Sequence, residues 1–146
     1  MITVELERVA GDYGFKATDA AGHSIQTDSS IEIGGQDKGI RPMQSLLMAL
    51  GGCSGIDIVS ILKKQQQVIE DFTMKISGER EANKEPSLWK RVEVEFYLTG
   101  TIDIEKAERA CALSIEKYCS VAETLRRAGA TITWRVSVNA PKTNNT

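Results

Sequence analysis

The chain has 146 residues, 41% of them apolar and 26% charged, and its 18 basic and 20 acidic side chains leave a net charge of −2. That length predicts one domain over 1–146 with enough apolar residues to bury a core. The balanced, interspersed charge excludes the basic stripe that holds nucleic acid. The nearly uncharged stretch Ser45 to Ile56 is ended by Asp57, short of the ~18 apolar residues of a membrane span. Met1-Ile2-Thr3-Val4-Glu5 has neither the basic nor the apolar region of a signal peptide. The expectation is a soluble cytoplasmic protein with no nucleic-acid or membrane partner.

The first thirty residues alternate in the manner of short antiparallel strands. Ile2, Val4 and Leu6 share one face, Gly11-Asp12-Tyr13-Gly14 turns the chain, and Phe15 to Thr18 returns. Ala21-Gly22-His23 turns again before Ser24 to Thr27, and a loop rich in breakers follows at Gly34 to Gly39. Pro42 suits a first helical position, and the helix is predicted to run from there to about Gln67. Leu46, Leu50, Cys53, Asp57 and Ile61 fall at helical spacing on one face. The small residues Gly51, Gly52, Ser54 and Gly55 suggest close approach by another backbone, and this helix is expected to be the most buried element.

Phe72 to Arg80 and Val92 to Thr99 alternate again, with Val92, Val94, Phe96 and Leu98 on one face. Asp103 is a predicted N-cap for a helix whose stripe holds Ala107, Ala110, Cys111, Ser114 and Tyr118. Ser120-Val121-Ala122-Glu123 reads as a capping box opening another helix that ends near Gly129. Ile132 to Val138 is the final strand, and 141–146 reads as a flexible tail. The order βββ-α-ββ-αα-β makes an α+β fold.

Three cysteines carry what chemistry is visible. An odd number, with no C-x-x-C and a single histidine (His23, in a Gly-His-Ser turn), predicts neither a disulfide framework nor a structural zinc site. No cofactor or metal is expected. Cys53 sits mid-helix on the apolar stripe, open to reading as packing or as a redox thiol. Cys119 precedes the predicted cap at Ser120, where a helix N-terminus favours a thiolate. Cys111, between alanines, reads as packing.

Two segments together resemble the OsmC/Ohr family, the osmotically inducible and organic hydroperoxide resistance proteins. Arg41-Pro42-Met43-Gln44-Ser45-Leu46-Leu47-Met48-Ala49-Leu50-Gly51-Gly52-Cys53-Ser54-Gly55-Ile56-Asp57-Ile58-Val59 is similar to its central helix. Glu116-Lys117-Tyr118-Cys119-Ser120-Val121 is similar to its second cysteine motif. The likeness is greatest to a branch with Pro-Met-x-x-x-Leu-Met-Ala-x-Gly-Gly-Cys. The resemblance implies an OsmC-like intertwined homodimer and a thiol peroxidase active in oxidative stress defence. In it Cys53 attacks an organic hydroperoxide or H2O2, and Cys119 resolves the sulfenic acid. A dithiol reductant, such as a lipoylated protein, would restore the pair.

Strongly active members of the family carry a Glu just after the proline and an N-terminal Arg. Here Met43 and Gln44 follow Pro42, so the resemblance supplies the dithiol without that clamp. Gln44, Arg41 and Arg80 are the candidate substrate-binding groups in its place; Arg8 and Lys16 are further cations. Nine residues of helix put Gln44 ~13 Å from Cys53. Two antiparallel copies crossing near Met48-Ala49 would bring Gln44 of one subunit toward the thiol of the other. Two alternatives use the same residues differently: a redox-responsive or disulfide-handling dimer, and a small-molecule-binding module in which the cysteines only pack.

Overall fold

The computed structural model describes residues 1–142. Residues 143–146 of the expected tail lie outside the described residues, whereas the Lys142 amide donates to Glu70 and its ammonium pairs with Asp71 at 3.0 Å. The backbone forms two compact units, Met1–Leu46 and Leu47–Thr146.

In the first unit β1 (Val4–Ala10), β2 (Gly14–Asp19) and β3 (Ser24–Thr27) form an antiparallel sheet in that order. Leu6, Ala17 and Ile25 lie directly opposite one another across it. Leu6 and Ile25 are exposed, as are Val4 and Phe15, so this sheet carries an apolar row without a core of its own. Asp19 organises the β2–β3 turn, accepting from the amides of Ala21 and His23 and pairing with the His23 ring at 3.1 Å. After β3 the chain enters a short 3-10 turn at Ile31–Ile33, absent from the sequence reading and closed by Gly34 at φ 99°. Asp28 is buried and fixes this loop by accepting from the amides of Ser29, Gln36 and Lys38. These donors, that of Lys38 foremost, hold its carboxyl below the ordinary carboxylate range.

Helix α1 runs Pro42–Lys64 and begins at the expected proline. The second unit contains most of it, followed by β4 (Val68–Arg80) and β5 (Trp89–Thr101), paired antiparallel. Then come α2 (Ile104–Leu113), a π-helical turn at Ser114–Tyr118, α3 (Ser120–Arg127), and β6 (Thr131–Asn139), which lies parallel to β5. The expected order of strands and helices is the observed one. Asp103 caps α2 as predicted, accepting from the amides of Glu105 and Lys106 at 2.9 and 3.1 Å.

The core brings Val92, Val94, Phe96 and Leu98 of β5 together with Ala107, Ala110, Cys111, Ile115, Ala122 and Leu125 of the helical segment. From α1 it takes Leu50, Gly51, Ser54, Ile58 and Leu62. That buried stripe is rotated from the expected one, because Leu46 is exposed and Cys53, Asp57 and Ile61 lie on its half-buried edge. The helix is therefore covered on one side only, and β5 is covered more completely. Within the chain, Gly51 and Gly55 meet side chains and not backbone. A Cβ on Gly51 would stand 2.8 Å from Ile76 Cδ1 and 3.0 Å from Met74 Sδ of β4, while Gly52 faces open space. By length and composition α1 is also long and apolar enough to cross a membrane, Asp57 notwithstanding. A core helix passes the same test, and α1 packs its stripe on the strands of its own unit.

Candidate active site

Cys53 and Asp57 stand one turn apart on α1, so they project to the same side. Cys119 comes from much later in the second unit, between the π turn and α3. The two sulfurs and a carboxylate oxygen of Asp57 lie within 4.8 Å of one another. Both cysteines are free thiols, Cys53 half-buried and Cys119 only 2% exposed.

The local sequence makes this convergence through an irregularity. The Cys119 amide donates to the Ser114 carbonyl at 2.8 Å, five residues back, which closes the π turn. The residue after that turn is extended, with φ −72° and ψ 106°, and becomes the N-cap of α3. The cap is thus Cys119 and not the expected Ser120: its sulfur accepts from the Ala122 amide at 3.4 Å. Glu123, expected to complete a capping box, instead pairs with Arg126 and Arg127.

The helix-end position does not make Cys119 a thiolate, contrary to expectation. Burial pushes its thiol up to about 11, with its hydrogen bond to Cys53 acting in the same direction; the Ala122 amide opposes both but does not overcome them. Cys119 is therefore a protonated thiol at neutral pH. Cys111 is fully buried, and desolvation followed by the charge of Glu108 raises it to about 12. Its reading as packing stands.

Asp57 is a member of the site that the sequence reading places on the same helix stripe as Cys53 without assigning it a role. Ser114, completely buried in the π turn, donates its hydroxyl to Asp57 Oδ2 at 2.9 Å and approaches the Ser54 carbonyl at 3.4 Å. The spacing of Cys53 and Asp57 was the available signal for the first; nothing local pointed to Ser114 beyond its place on the α2 stripe. A cavity of about 530 Å³, lined by Asp57, Ile61, Lys64, Leu113 and Tyr118 among others, opens beside the carboxylate.

The other candidates have local engagements. Arg41 and Gln44 belong to the first unit. There the Gln44 side chain accepts from the Arg41 amide at 3.1 Å, half of a capping box at the start of α1. The Arg41 guanidinium pairs with Asp37 at 2.7 Å and donates to the Gly39 carbonyl. Arg80, at the end of β4, donates to the Ser87 carbonyl and lies 5.8 Å from the centre of the Trp89 ring, bracing the β4–β5 hairpin.

Comparison with known proteins agrees with the fold and with the family resemblance. Residues 35–135 match the family described as OsmC-like protein. Protein YhfA of Escherichia coli K12 is 42% identical over 116 residues, which cover 78% of this chain and 82% of that protein. A hypothetical protein from Aquifex aeolicus VF5 superposes with a TM-score of 0.78 at 31% identity, covering 95% of this chain and 98% of its own. An organic hydroperoxide resistance protein OsmC from Legionella pneumophila shares the fold, with a TM-score of 0.64 at 18% identity, covering 95% and 96% of the two chains. With its paired cysteine segments, its βββ-α-ββ-αα-β order and these matches, the chain belongs to the OsmC-like family.

Proposed function

We propose that this protein reduces organic hydroperoxides or H2O2 with Cys53 as the attacking thiol and Cys119 as the resolving thiol. The observation that carries the reading is the convergence of the two sulfurs, from distant parts of the sequence, to within 4.8 Å. Their unequal exposure supports the assignment of roles. Cys53 is the sulfur a substrate can reach, and Cys119, buried and protonated, waits behind it.

In the first step Cys53 attacks the distal peroxide oxygen. The O–O bond breaks, an S–O bond forms, and the alcohol (water, for H2O2) leaves with the thiol proton. Asp57 lies close enough to hold that proton in transit. The sulfenic acid then condenses with Cys119: an S–S bond forms, and the hydroxyl departs as water with the Cys119 proton. The sulfurs must still close to bonding distance, and the break in helical geometry between the π turn and α3 is where that movement would occur. An external dithiol, such as a lipoylated protein, reduces the disulfide and is itself oxidised. Neither a metal nor an organic cofactor takes part in this cycle.

The working form is a cytoplasmic homodimer. The exposed apolar row of the first sheet and the exposed Leu46, Met48 and Ile56 of α1 support a second copy as their cover, with Arg41 and Gln44 as substrate-facing groups across the two-fold. Adding one equivalent of an organic hydroperoxide to the reduced protein tests the chemistry. Peptide mapping should find a Cys53–Cys119 disulfide with Cys111 free. Consumption of hydroperoxide by Cys53→Ser at the wild-type rate would overturn the reading, and a monomer by light scattering at micromolar concentration would overturn the dimer.

A further inference from the structure

We propose that Cys53, Asp57 and Cys119 also form a binding site for one thiophilic divalent cation per chain, Zn2+ being the fitting ion. The expectation of no metal rests on motif spacing, and ligands drawn from α1 and from the start of α3 leave no such motif in the sequence.

Each of the three residues offers one ligand atom, and all three atoms lie within 4.8 Å of one another. A tetrahedral zinc with ~2.3 Å bonds to sulfur and ~2.0–2.2 Å bonds to oxygen holds its ligands roughly 3.3–3.8 Å apart. Contraction by about an ångström, within reach of side-chain rotation, brings the three onto one ion. Two sulfurs and one oxygen are a donor set for zinc; magnesium and calcium prefer all-oxygen shells. Three protein ligands leave a fourth position open, as in reactive zinc sites and unlike closed structural ones.

The surroundings serve the same end. Ser114 donates to Asp57 Oδ2 at 2.9 Å, the outer-shell contact that orients a ligating carboxylate. The Ala122 amide at 3.4 Å directs positive charge at the Cys119 sulfur. Cys53 and Asp57 sit one turn apart, a spacing that lets two ligands reach one ion from a single helix. On binding, two S–H bonds give way to two Zn–S bonds, two protons pass to the buffer, and no electron is transferred. The ion thereby supplies the counter-charge that a buried Cys119 thiolate otherwise lacks. Zinc and hydroperoxide compete for the same sulfur lone pairs, so an occupied site is protected from oxidation, and an oxidised one releases its metal. The inference shares its thiols with the proposed function but needs no reactivity toward peroxide.

The experiment is a titration of the reduced full-length protein with Zn2+ against a chromophoric chelator, paralleled by Co2+ absorption. We expect one ion per chain and a thiolate-to-cobalt charge-transfer band. Ser114→Ala should weaken binding by ~10–100-fold. Cys53→Ser, Cys119→Ser and Asp57→Asn should each weaken it at least as much, and Cys111→Ala should leave it unchanged. No stoichiometric Zn2+ uptake by the folded, reduced wild type would overturn the site, as would uptake unaffected by both Cys53→Ser and Cys119→Ser. Hydroperoxide consumption, measured in parallel with chelator present, separates the two proposals. Zinc binding without consumption sustains this site and refutes the peroxidase; consumption without zinc binding does the reverse.

Discussion

In the proposed cycle the protonated state of Cys119 should set the pace of disulfide formation, and that pace is measurable. With its thiol raised to about 11, about one molecule in 10^4 carries the thiolate at pH 7, against one in 10^2 at the ordinary value of 9.0. A more basic sulfur is intrinsically more nucleophilic, and with a Brønsted coefficient of ~0.4–0.5 this returns roughly tenfold of the ~100-fold loss. Condensation with the Cys53 sulfenic acid should therefore be about tenfold slower at pH 7 than for an exposed thiol equally placed. It should accelerate about tenfold per unit between about pH 7 and 9. Oxidation of Cys53 removes the thiol hydrogen bond that helps raise Cys119 but leaves the larger effect, burial, in place. The assay mixes reduced protein with one equivalent of hydroperoxide, quenches at intervals, traps sulfenic acid with a carbon nucleophile, and weighs sulfenic and disulfide forms by intact mass. A rate that is flat with pH over that interval would refute burial as the dominant influence on Cys119.

Four further outcomes test other parts of the structure. Cys111 is fully buried, so alkylation of the native reduced protein should label Cys53 far faster than Cys111, with denaturation erasing the difference. Gly78→Ala would set a Cβ 2.7 Å from the buried Trp89 ring, and this overpacking should cost ~1–3 kcal/mol by urea unfolding, whereas Asp103→Ala, which removes the acceptor for two amides, should cost ~1 kcal/mol. Because the Asp28 carboxyl is held below its ordinary 3.8, its contribution to stability is complete above about pH 4 and is lost as pH falls through the depressed value. Amide exchange at Gln36 and Lys38 should accelerate there relative to that of the β4–β5 sheet, after correction for intrinsic rates.

Much of the fold was legible because the signals were local. Strand alternation at Val92 to Leu98, the proline at the start of α1 and the acceptor at Asp103 each act on their own backbone, and each appears where the sequence places it. The buried stripe of α1 was misjudged because its periodicity is ambiguous. Leu46, Met48 and Ile56 are as apolar as Leu50 and Ile58, and packing on β4 decides between them. The cap of α3 was displaced by one residue for a different reason. Ser120 is the better cap by propensity, yet a π turn adds a residue to the preceding helix and delivers a sulfur to that place. No local pattern announces a π turn, so Ser114 and its hold on Asp57 were invisible as well.

That same turn explains why two thiols so alike in composition are so differently placed. Cys53 stands half-buried on a regular helix at the margin of the covered stripe. Cys119 lies in the gap between two helices, roofed by its own chain, with Ala122 below and Cys53 before it. In the proposed cycle, exposure selects the sulfur that meets an electrophile first, and burial keeps the second from reacting until the first has changed. The proposed cation would reverse this logic, because it would favour the buried thiolate that solvent exclusion penalises and bind both sulfurs at once. On the two proposals together, whether an oxidant or a cation arrives first decides which of two mutually exclusive states the pair enters, with one carboxylate, Asp57, within 4.8 Å of both sulfurs.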